Sequence, residues 1–402
     1  MVETLAKFRD IPELPDYVDG QTDHDYMHGA WARGPLARDR RGLIRAFPAA
    51  LMSELMDDRW TRQIEMESMQ IAAISGGPVY DFFDNVLLFS NGQVHRNRRG
   101  PLVRTFAHRV IEDSRPAIAA RCERMVAELA GSGPVDFVGR LASPLPAHVI
   151  ASIIGAPEGE VELVARHVYS AIRGLSLVKE EVWLEANADM AALAAYVERL
   201  IASRRAKGAD DFLTRFLDRV EGGPLDEAEI RTQIMVLVLA GSDTTRGALT
   251  STVSQLMQNR DQWQMLVADP DRWVPAAVSE GLRYDPVIGS LARILTERHS
   301  VAGYDLPAGT FIGACMLTSL RDPAVYADPH RFDITRTDHP KLHPIFGGGP
   351  HRCLGEALAR LELEEALKAL VRLAPDMELE SPPARLRGYG ATRALTPMVV
   401  RM

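Results

Sequence analysis

The spacing of apolar residues along the chain predicts a mainly helical protein. Three stretches repeat apolar positions at i, i+3 and i+4 and are rich in Ala, Leu, Glu and Arg, namely 110–131, 181–208 and 355–375. Strand-like stretches are few. One candidate pair lies in 297–317, where DLPAGT (305–310) indicates a turn between two extended runs. With no internal repeat or low-complexity linker, we expect a mainly α fold with a minor β-sheet region, formed as a single domain over 1–402.

The longest helical pattern is also the most unusual one. Asp226 is a suitable N-cap residue, and the pattern continues to about Gln258, which corresponds to roughly 48 Å at about 1.5 Å per residue. Glu227 and Glu229 suit the positive start of such a helix. Its middle, IMVLVLA (234–240), is apolar on every side, and a helix of that kind is buried within its domain.

The segment AGSDTT (240–245) interrupts this apolar run. Threonine hydroxyls can hydrogen-bond the carbonyl one turn earlier and bend a helix, and a glycine makes the bend easier. A buried Asp243 is costly unless it is paired or functional. One interpretation is a packing kink where another helix crosses close to Gly241. The other is a functional site, since local conflicts of this kind concentrate at such sites.

Charge and composition narrow the class of protein. The net charge of −8 argues against a general nucleic-acid binder, which is usually basic. The acidic, proline-bearing start MVETLAKFRDIPELPDYVDG predicts neither a signal peptide nor a membrane anchor. Cys122, Cys315 and Cys353 are odd in number and widely spaced, which disfavours a disulfide framework. We therefore expect a cytoplasmic protein with no nucleic-acid partner.

Cys353 has an unusual setting, the loop FGGGPHRCLG (346–355). Irregular coil precedes this loop and the predicted helix 355–375 follows it. The thiol therefore lies near a helix N-terminus, where the helix dipole favours thiolate over thiol. The glycines allow tight turns and leave room for a flat group to approach.

Several roles for this cysteine compete. A buried structural cysteine is the simplest, and a catalytic thiol would need a partner such as His351, although no cysteine-hydrolase signature surrounds it. Zinc and iron–sulfur sites need more thiolates, and a phosphate-binding loop needs a preceding strand and a following Gly-Lys-Ser/Thr. A single thiolate as the axial ligand of haem iron fits all of these features. Such a ligand donates electron density to the iron and favours O–O cleavage.

The loop resembles the haem-binding signature of the cytochrome P450 family, Phe-x-x-Gly-x-x-x-Cys-x-Gly. Phe346, Gly349, Cys353 and Gly355 match every fixed position. The resemblance implies one large cytochrome P450-like domain that holds haem b (iron protoporphyrin IX) between the long bent helix and the cysteine loop. Cys353 would then be the metal ligand.

AGSDTT is similar to the oxygen-activation segment of the same family. The resemblance implies that Asp243 delivers protons from solvent and that Thr244 hydrogen-bonds dioxygen or an ordered water. A bend at this point would make room for dioxygen.

EGLR (280–283) is similar to the Glu-x-x-Arg pair of the family. Residues at i and i+3 share one helix face, so Glu280 and Arg283 can form a salt bridge. The resemblance implies that this pair is buried and that it locks the coil 328–332 in place through Arg331, a structural role.

Haem propionates need cationic or donor partners in a mostly buried setting. VHRNRRG (94–100) resembles the family's His-x-x-x-Arg pattern, which places two such partners one helical turn apart. The full set that the resemblance implies is His95, Arg99, Arg293 and His351.

The implied reaction is insertion of one atom of O2 into a C–H or C=C bond of a small hydrophobic substrate. No flavin or ferredoxin domain is recognisable, so electrons would come from a separate donor, for which a small acidic ferredoxin with its reductase is the natural candidate. The basic patch expected to dock this donor comprises Arg96, Arg98, Arg104, Lys341 and Arg352. The apolar residues expected to line the substrate pocket are Phe82, Phe83, Val86, Leu237, Ala240, Val287 and Ile288.

Two other functions stay open at this point. A peroxide-driven haem-thiolate peroxygenase would use the same cysteine, but such an enzyme usually lacks the Asp-Thr pair. A non-catalytic haem-binding sensor or carrier would also use it, although a sensor normally carries a signalling domain and none is recognisable. The presence of Asp243 and Thr244 favours the O2-dependent reaction.

Overall fold

The predicted helical stretches are helices in the structure, a computed structural model that describes residues 10–106, 108–173 and 180–402. In these ranges the helices are α1 (Asp23–Trp31), α2 (Ala50–Leu55), α3 (Glu67–Ile71), α4 (Pro78–Asn85), α5 (Gly92–Thr105), α6 (His108–Ala127), α7 (Pro144–Ile153), α8 (Val161–Arg173), α9 (Glu180–Lys207), α10 (Phe212–Val220), α11 (Glu227–Gln258), α12 (Arg260–Ala268), α13 (Pro270–Tyr284), α14 (Met316–Ser319) and α15 (Glu356–Leu373). The stretches 110–131, 181–208 and 355–375 correspond to α6, α9 and α15.

The strands are short. In the described ranges they are β1 (Leu36–Arg38), β2 (Ile44–Ala46), β3 (Thr61–Arg62), β4 (Pro134–Asp136), β5 (Ser290–Leu295), β6 (His299–Val301), β7 (Tyr304–Leu306), β8 (Phe311–Cys315), β9 (Glu378–Leu379), β10 (Leu386–Arg387), β11 (Ala394–Leu395) and β12 (Val399–Arg401). The prediction of a mainly α fold with a minor β-sheet region is confirmed.

Contacts divide the chain into two compact units. The first comprises Met1–Gln63, Gly247–Cys353 and Pro375–Val400, and the second comprises Ile64–Arg246, Leu354–Ala374 and Arg401–Met402. Each unit is assembled from separated parts of the chain. The expectation of one domain over the whole sequence stays a prediction.

The first unit contains a five-stranded sheet in the order β1-β2-β8-β5-β3. β2 and β8 are parallel, while the other neighbours are antiparallel. The register places Arg293 of β5 opposite Ile312 and Ser290 opposite Cys315. Beside the sheet, Met27 of α1 and Phe47 belong to a buried apolar cluster, which anchors the N-terminal part of the chain.

The predicted turn at 305–310 is confirmed, but the pairing of the two runs that flank it is wrong. β7 precedes this turn and pairs with β6, whereas β8 follows it and pairs with β2 and β5. The reason is a second, tighter reversal at Ala302 and Gly303, whose φ angles are 50° and 86°. That reversal lets β6 and β7 form a local hairpin before the predicted turn begins.

The second unit is built from helices. α6 packs against α15, α8 packs against α7 and α9, and α10 packs against α5. The buried face of α15 is mostly leucine and alanine but also contains Glu362 and Glu365, a departure from apolar packing. No helix in the described residues is both long and apolar enough to cross a membrane.

Candidate active site

The cysteine loop is closed by its own backbone in the first unit. Two short 3₁₀ turns, Pro344–Phe346 and Gly349–His351, fold it back on itself. The Cys353 amide then donates to the Phe346 carbonyl at 2.8 Å, which joins the first residue of the predicted signature to its cysteine. Cys353 is exposed, whereas Cys122 and Cys315 are buried. The simplest role considered for Cys353, a buried structural cysteine, is therefore wrong.

The glycines of this loop are required by close backbone packing. Gly347 and Gly349 have φ of +71° and +60°, in the left-handed region that favours glycine. A Cβ atom at Gly348 would lie 3.2 Å from the Met56 side chain, and one at Gly349 would collide with the Met56 carbonyl oxygen. The Arg352 guanidinium also donates to the Gly347 carbonyl at 2.9 Å. The loop is therefore rigid while its thiol stays accessible.

This donor set fits haem rather than a metal cluster. The exposed thiol of Cys353, on a glycine-rich loop, offers one sulfur ligand. Within the described residues, no group of three or more His, Cys, Asp and Glu side chains is arranged to hold a metal ion. One thiolate can ligate haem iron because the porphyrin supplies the equatorial ligands.

Glu280 and Arg283 on α13 form the buried pair that the sequence predicts. Both side chains are fully buried. Nε and Nη2 of Arg283 donate to the two Glu280 carboxylate oxygens at 2.7 and 2.8 Å. The remaining donors reach the carbonyls of Leu320, Pro329 and Arg331 at 2.8 to 3.0 Å. The pair therefore ties α13 to two coil segments of the first unit.

The expected role of Arg331 needs a correction. Its backbone carbonyl accepts from Arg283, but its side chain is exposed. The second guanidinium near Glu280 belongs to Arg336, with Nε 3.4 Å from Oε2. Sequence reasoning missed Arg336, which lies just after the expected segment 328–332. A backbone carbonyl is a sufficient partner at Arg331 because arginine donors do not need a charged acceptor.

The long helix begins as the sequence predicts. The Asp226 side chain accepts from the Glu229 amide at 2.8 Å, and the Glu229 side chain accepts from the Asp226 amide at 3.1 Å, which is a reciprocal capping box. The apolar middle is buried, from Ile234 at 0% to Leu237 at 9% exposure. Ala240, the residue at its end, is exposed.

The polar interruption of α11 keeps its helical hydrogen bonding. Ser242 and Thr244 donate to the carbonyls four residues earlier, Val238 and Ala240, at 2.8 and 3.0 Å. These are the predicted back-bonds. The packing explanation for Gly241 also has support, because a Cβ there would lie 3.5 Å from Ile150 of α7. Another helix therefore does approach the glycine, in addition to any function of the segment.

Asp243 is nearly enclosed and paired. Its side chain is 12% exposed and forms an ion pair with Arg246 one turn later on the same helix. Burial raises the pKa of the Asp243 carboxyl, while the charge and the hydrogen bond of Arg246 lower it. Sequence reasoning missed Arg246, although the i, i+3 spacing was a visible signal.

The expected propionate partners are placed in both units. His95 and Arg99 lie one turn apart on α5 in the second unit, and His95 is 3% exposed. Arg293 lies on β5 in the first unit, where Nε donates to Thr61 at 2.9 Å and Nη2 pairs with Asp58. Arg293 therefore already has an anionic partner, which the sequence did not indicate. His351 ends a turn of the cysteine loop.

The expected pocket residues are mostly buried where they stand. In the second unit Phe83 stacks on Phe89 with ring centroids 4.2 Å apart. The buried members of the set are Phe82, Phe83, Val86, Leu237 and Val287. Ile288 is half-buried and Ala240 is exposed. Their role in binding substrate stays a prediction.

The basic patch needs one correction. Arg98 is buried and paired with Glu229 at 2.8 Å, with Nη1 donating to the Val86 carbonyl. It therefore holds α5 against the start of α11 and offers no free charge to a partner. Arg96, Arg104 and Lys341 are exposed, and Arg352 is half-buried.

A cleft of about 220 Å³ lies beside Arg96 and Arg104 on the second unit. It is also lined by Arg219 from the end of α10, and no acidic side chain lines it. Arg219 is a cation that sequence reasoning missed, because nothing in the sequence places α10 beside α5.

Comparison with known proteins agrees with this fold. A family model described as Cytochrome P450 matches residues 167–374. The chain is 38% identical over 370 residues to plant-inducible Cytochrome P450-pinF1 of Rhizobium radiobacter, which covers 92% of this chain and 87% of that protein. It is 35% identical over 385 residues to luteothin monooxygenase of Streptomyces thioluteus, with 92% of each covered.

Solved structures agree as well. P450BioI, in complex with an acyl carrier protein ligated to hexadec-9Z-enoic acid, is similar with a TM-score of 0.85 and 26% identity, over 94% of this chain and 98% of that one. Fold and cysteine loop together define a haem-thiolate oxidoreductase. The chain belongs to the cytochrome P450 family, and its relatives include proteins named as monooxygenases.

Proposed function

We propose that the chain is a monooxygenase that inserts one atom of O2 into a small, neutral, hydrophobic organic substrate, by hydroxylation or epoxidation. The observation that carries the proposal is the exposed Cys353 thiol on a rigid loop. Its relatives include a luteothin monooxygenase and a steroid C26-monooxygenase. A cytoplasmic location is part of the same proposal.

Haem b, when bound, supplies an iron centre at which O2 is reduced and one of its atoms becomes available for transfer. Cys353 would hold the iron as a thiolate. His95, Arg99, Arg293 and His351 would neutralise or hydrogen-bond the propionates. Phe346, Gly349 and Gly355 would keep the loop in the shape that presents the sulfur.

Asp243 and Thr244 would manage protons in the reaction. The Thr244 hydroxyl has one donor and two lone pairs. In the structure its donor bonds the Ala240 carbonyl. When that bond opens, the hydroxyl can accept from a water and donate onward. Asp243 would hold a proton that arrives from solvent and release it toward this hydroxyl. Reductive use of O2 consumes protons, so the pair has a chemical reason to occur together.

Replacing Cys353 tests the proposal most directly. In the wild-type protein, reduction followed by carbon monoxide is expected to give the strongly red-shifted haem band of thiolate ligation, and Cys353→Ala removes that band. Cys122→Ala is the matched control, since Cys122 is a buried thiol on α6, and the band stays. A Cys353→Ala protein that purifies with the unaltered spectrum would falsify the proposal.

We further propose that electrons come from a ferredoxin-type protein and its reductase. The support is a set of exposed cations on a protein of net charge −8, namely Arg96, Arg104 and Lys341, with Arg352 half-buried and Arg219 lining the cleft beside α5. Charges at the edge of an interface mainly accelerate association and make it sensitive to salt.

Charge reversal tests the docking proposal. Arg96→Glu and Arg219→Glu are each expected to raise the KM for a plant-type ferredoxin several-fold and to weaken its dependence on salt, with kcat at saturating ferredoxin little changed. Arg41→Glu, at another exposed arginine, serves as the control. Equal KM values for all three variants and the wild type would place the docking surface elsewhere.

A further inference from the structure

Asp243 belongs to a small cluster of side chains in the second unit. Its carboxylate pairs with Arg246. The guanidinium carbon of Arg246 lies 4.6 Å from the ring centroid of Tyr169 on α8, well within the range of a cation–π contact. The Tyr169 hydroxyl donates to the carbonyl of Ser143, just before α7, at 2.7 Å. Arg246 is therefore held from both sides, by a carboxylate and by an aromatic ring that is itself anchored.

Because Asp243 is nearly buried, its pairing with Arg246 affects its protonation. The Asp243 side chain is 12% exposed and that of Arg246 is 26% exposed, so the arginine lies nearer to solvent than the acid that it contacts. A carboxylate in such a position is stable only if a cation or several donors compensate for lost hydration. Burial raises the pKa of Asp243, and Arg246 lowers it by its charge and its hydrogen bond. The protonation of Asp243 therefore depends on where Arg246 lies.

Two other titratable side chains, Tyr169 and Glu362, belong to the surroundings of this cluster. Burial raises the pKa of the Tyr169 phenol, and the charges of Asp243 and Glu362 add to that effect while Arg246 opposes it. Burial also raises the pKa of Glu362 on α15 well above its usual value. α7 contributes the apolar Ile150 near Gly241. Among the charged side chains of the described residues, Arg246 is the one that shifts the pKa of Asp243, and it lowers that pKa.

We propose that Arg246, held by the ring of Tyr169, is a positioning residue that keeps the Asp243 carboxylate charged and in a fixed direction between proton transfers. This inference rests on the proposed role of Asp243 in proton delivery. Arg246 has no acceptor and stays protonated, so it would orient the acid without relaying protons itself. Tyr169 then connects α8 to the protonation of an acid on α11.

Arg246→Gln tests the proposal with a readout other than activity. Infrared difference spectra of the haem-loaded enzyme, recorded against pH, would follow the protonated-carboxyl band that disappears in Asp243→Asn. We expect Arg246→Gln to move the titration of that band upward by about one pH unit or more, which is tenfold in proton affinity. Arg246→Lys, which keeps the positive charge, should bring the titration most of the way back to that of the wild type. Tyr169→Leu should give an intermediate shift, while Tyr169→Phe, which keeps the ring, should leave the titration in place.

The amount of product formed per electron consumed, measured across pH in the same variants, distinguishes the proton-delivery role of Asp243 from the positioning role of Arg246. The acid side of this profile should move upward in Arg246→Gln as the infrared titration does. If Asp243→Asn leaves the product yield unchanged, the proton-delivery role itself is wrong. If Asp243→Asn lowers the yield but Arg246→Gln titrates like the wild type, proton delivery survives and the positioning role is overturned. An unaltered reduced carbon monoxide spectrum in each variant verifies that the fold is intact.

Discussion

At the scale of single residues, Arg283 has every donor in use. A guanidinium carries five N–H groups, and here they meet the two Glu280 oxygens and three backbone carbonyls with no exposed surface. Lysine could not replace it, since an ammonium has three donors and lacks the planar fork. A fully buried charge pair costs desolvation when it forms and costs more when only one member is lost.

Arg283→Lys should therefore lower the free energy of unfolding by about 3 kcal/mol, the low end of what breaking a buried pair costs. The matched control is Arg205→Lys, because Arg205 and Glu227 form an ion pair that is 47% and 72% exposed, where the expected loss is below about 1 kcal/mol. Urea unfolding at one pH and one salt concentration measures both. Similar losses in the two variants would show that the buried network is not what makes Arg283 necessary.

At the scale of elements, glycines inside helices mark different kinds of contact. Gly241 of α11 faces Ile150 at a distance that leaves ordinary van der Waals space for a methyl group, 3.5 Å from its would-be Cβ. Gly281 of α13 faces Thr252 of α11 far more closely, with two carbons 2.6 and 2.7 Å from its would-be Cβ. Thr252 is fully buried and cannot move aside. The second glycine sets how closely α11 and α13 pack.

Alanine at these two positions should have opposite effects. Gly241→Ala should raise the melting temperature, with up to about 1 kcal/mol gained from helix propensity. Gly281→Ala should lower it, with a cost of about 1 to 3 kcal/mol from overpacking. Calorimetry of both variants with haem bound provides the comparison. A stable Gly281→Ala protein would show that α11 and α13 can separate, contrary to the packing described here.

At the scale of the whole molecule, one buried polar network joins distant parts of the first unit. Asp285, after α13, accepts from Nη1 of Arg393 near the C-terminus at 2.5 Å and lies 3.2 Å from the ring of His24 in α1. Burial alone would raise the pKa of Asp285, but Arg393 and His24 hold it well below its usual range. Burial, assisted by Arg321, lowers the pKa of His24 to about 4.

This network predicts loss of stability in mild acid. Below about pH 6.5 the unfolded chain binds a proton at His24 that the folded protein does not take up until about pH 4, so folding stability falls as the pH drops through that window. The pKa of Asp285 is lowered as well, and the stabilisation from its carboxylate is lost only at still lower pH, as the carboxylate is protonated. His24→Gln should lose less stability between pH 6.5 and 4 than the wild type, by up to about 3 kcal/mol. Parallel curves of unfolding free energy against pH would contradict this assignment.

Much of the fold and of the candidate site follows from local sequence. The cap at Asp226, the all-apolar turns of α11 and the i, i+3 pair at Glu280 depend on residues close together in the chain, and the structure has all three. The cysteine loop is predictable for the same reason, since glycine conformation and a helix start are local properties.

Partners of long polar side chains were not predictable in this way. Arg98 and Arg96 are two residues apart, yet one is buried against Glu229 and the other is exposed. The sequence likewise contains no sign that Arg293 meets Asp58, or that Arg336 completes the Glu280 network. The free energy of a guanidinium depends on which acceptors the fold brings within about 3 Å.

The sequence by itself therefore determined the helical class, the thiol loop and the acid–threonine segment, because each is encoded within one or two helical turns. Only the tertiary structure decided which charges are structural and which are available for chemistry. Arg246 illustrates the difference: its spacing from Asp243 was visible in the sequence, but the ring of Tyr169 that holds it lies 77 positions earlier. Burial and long-range contacts set the energy of a charge, and neither can be deduced from its neighbours along the chain.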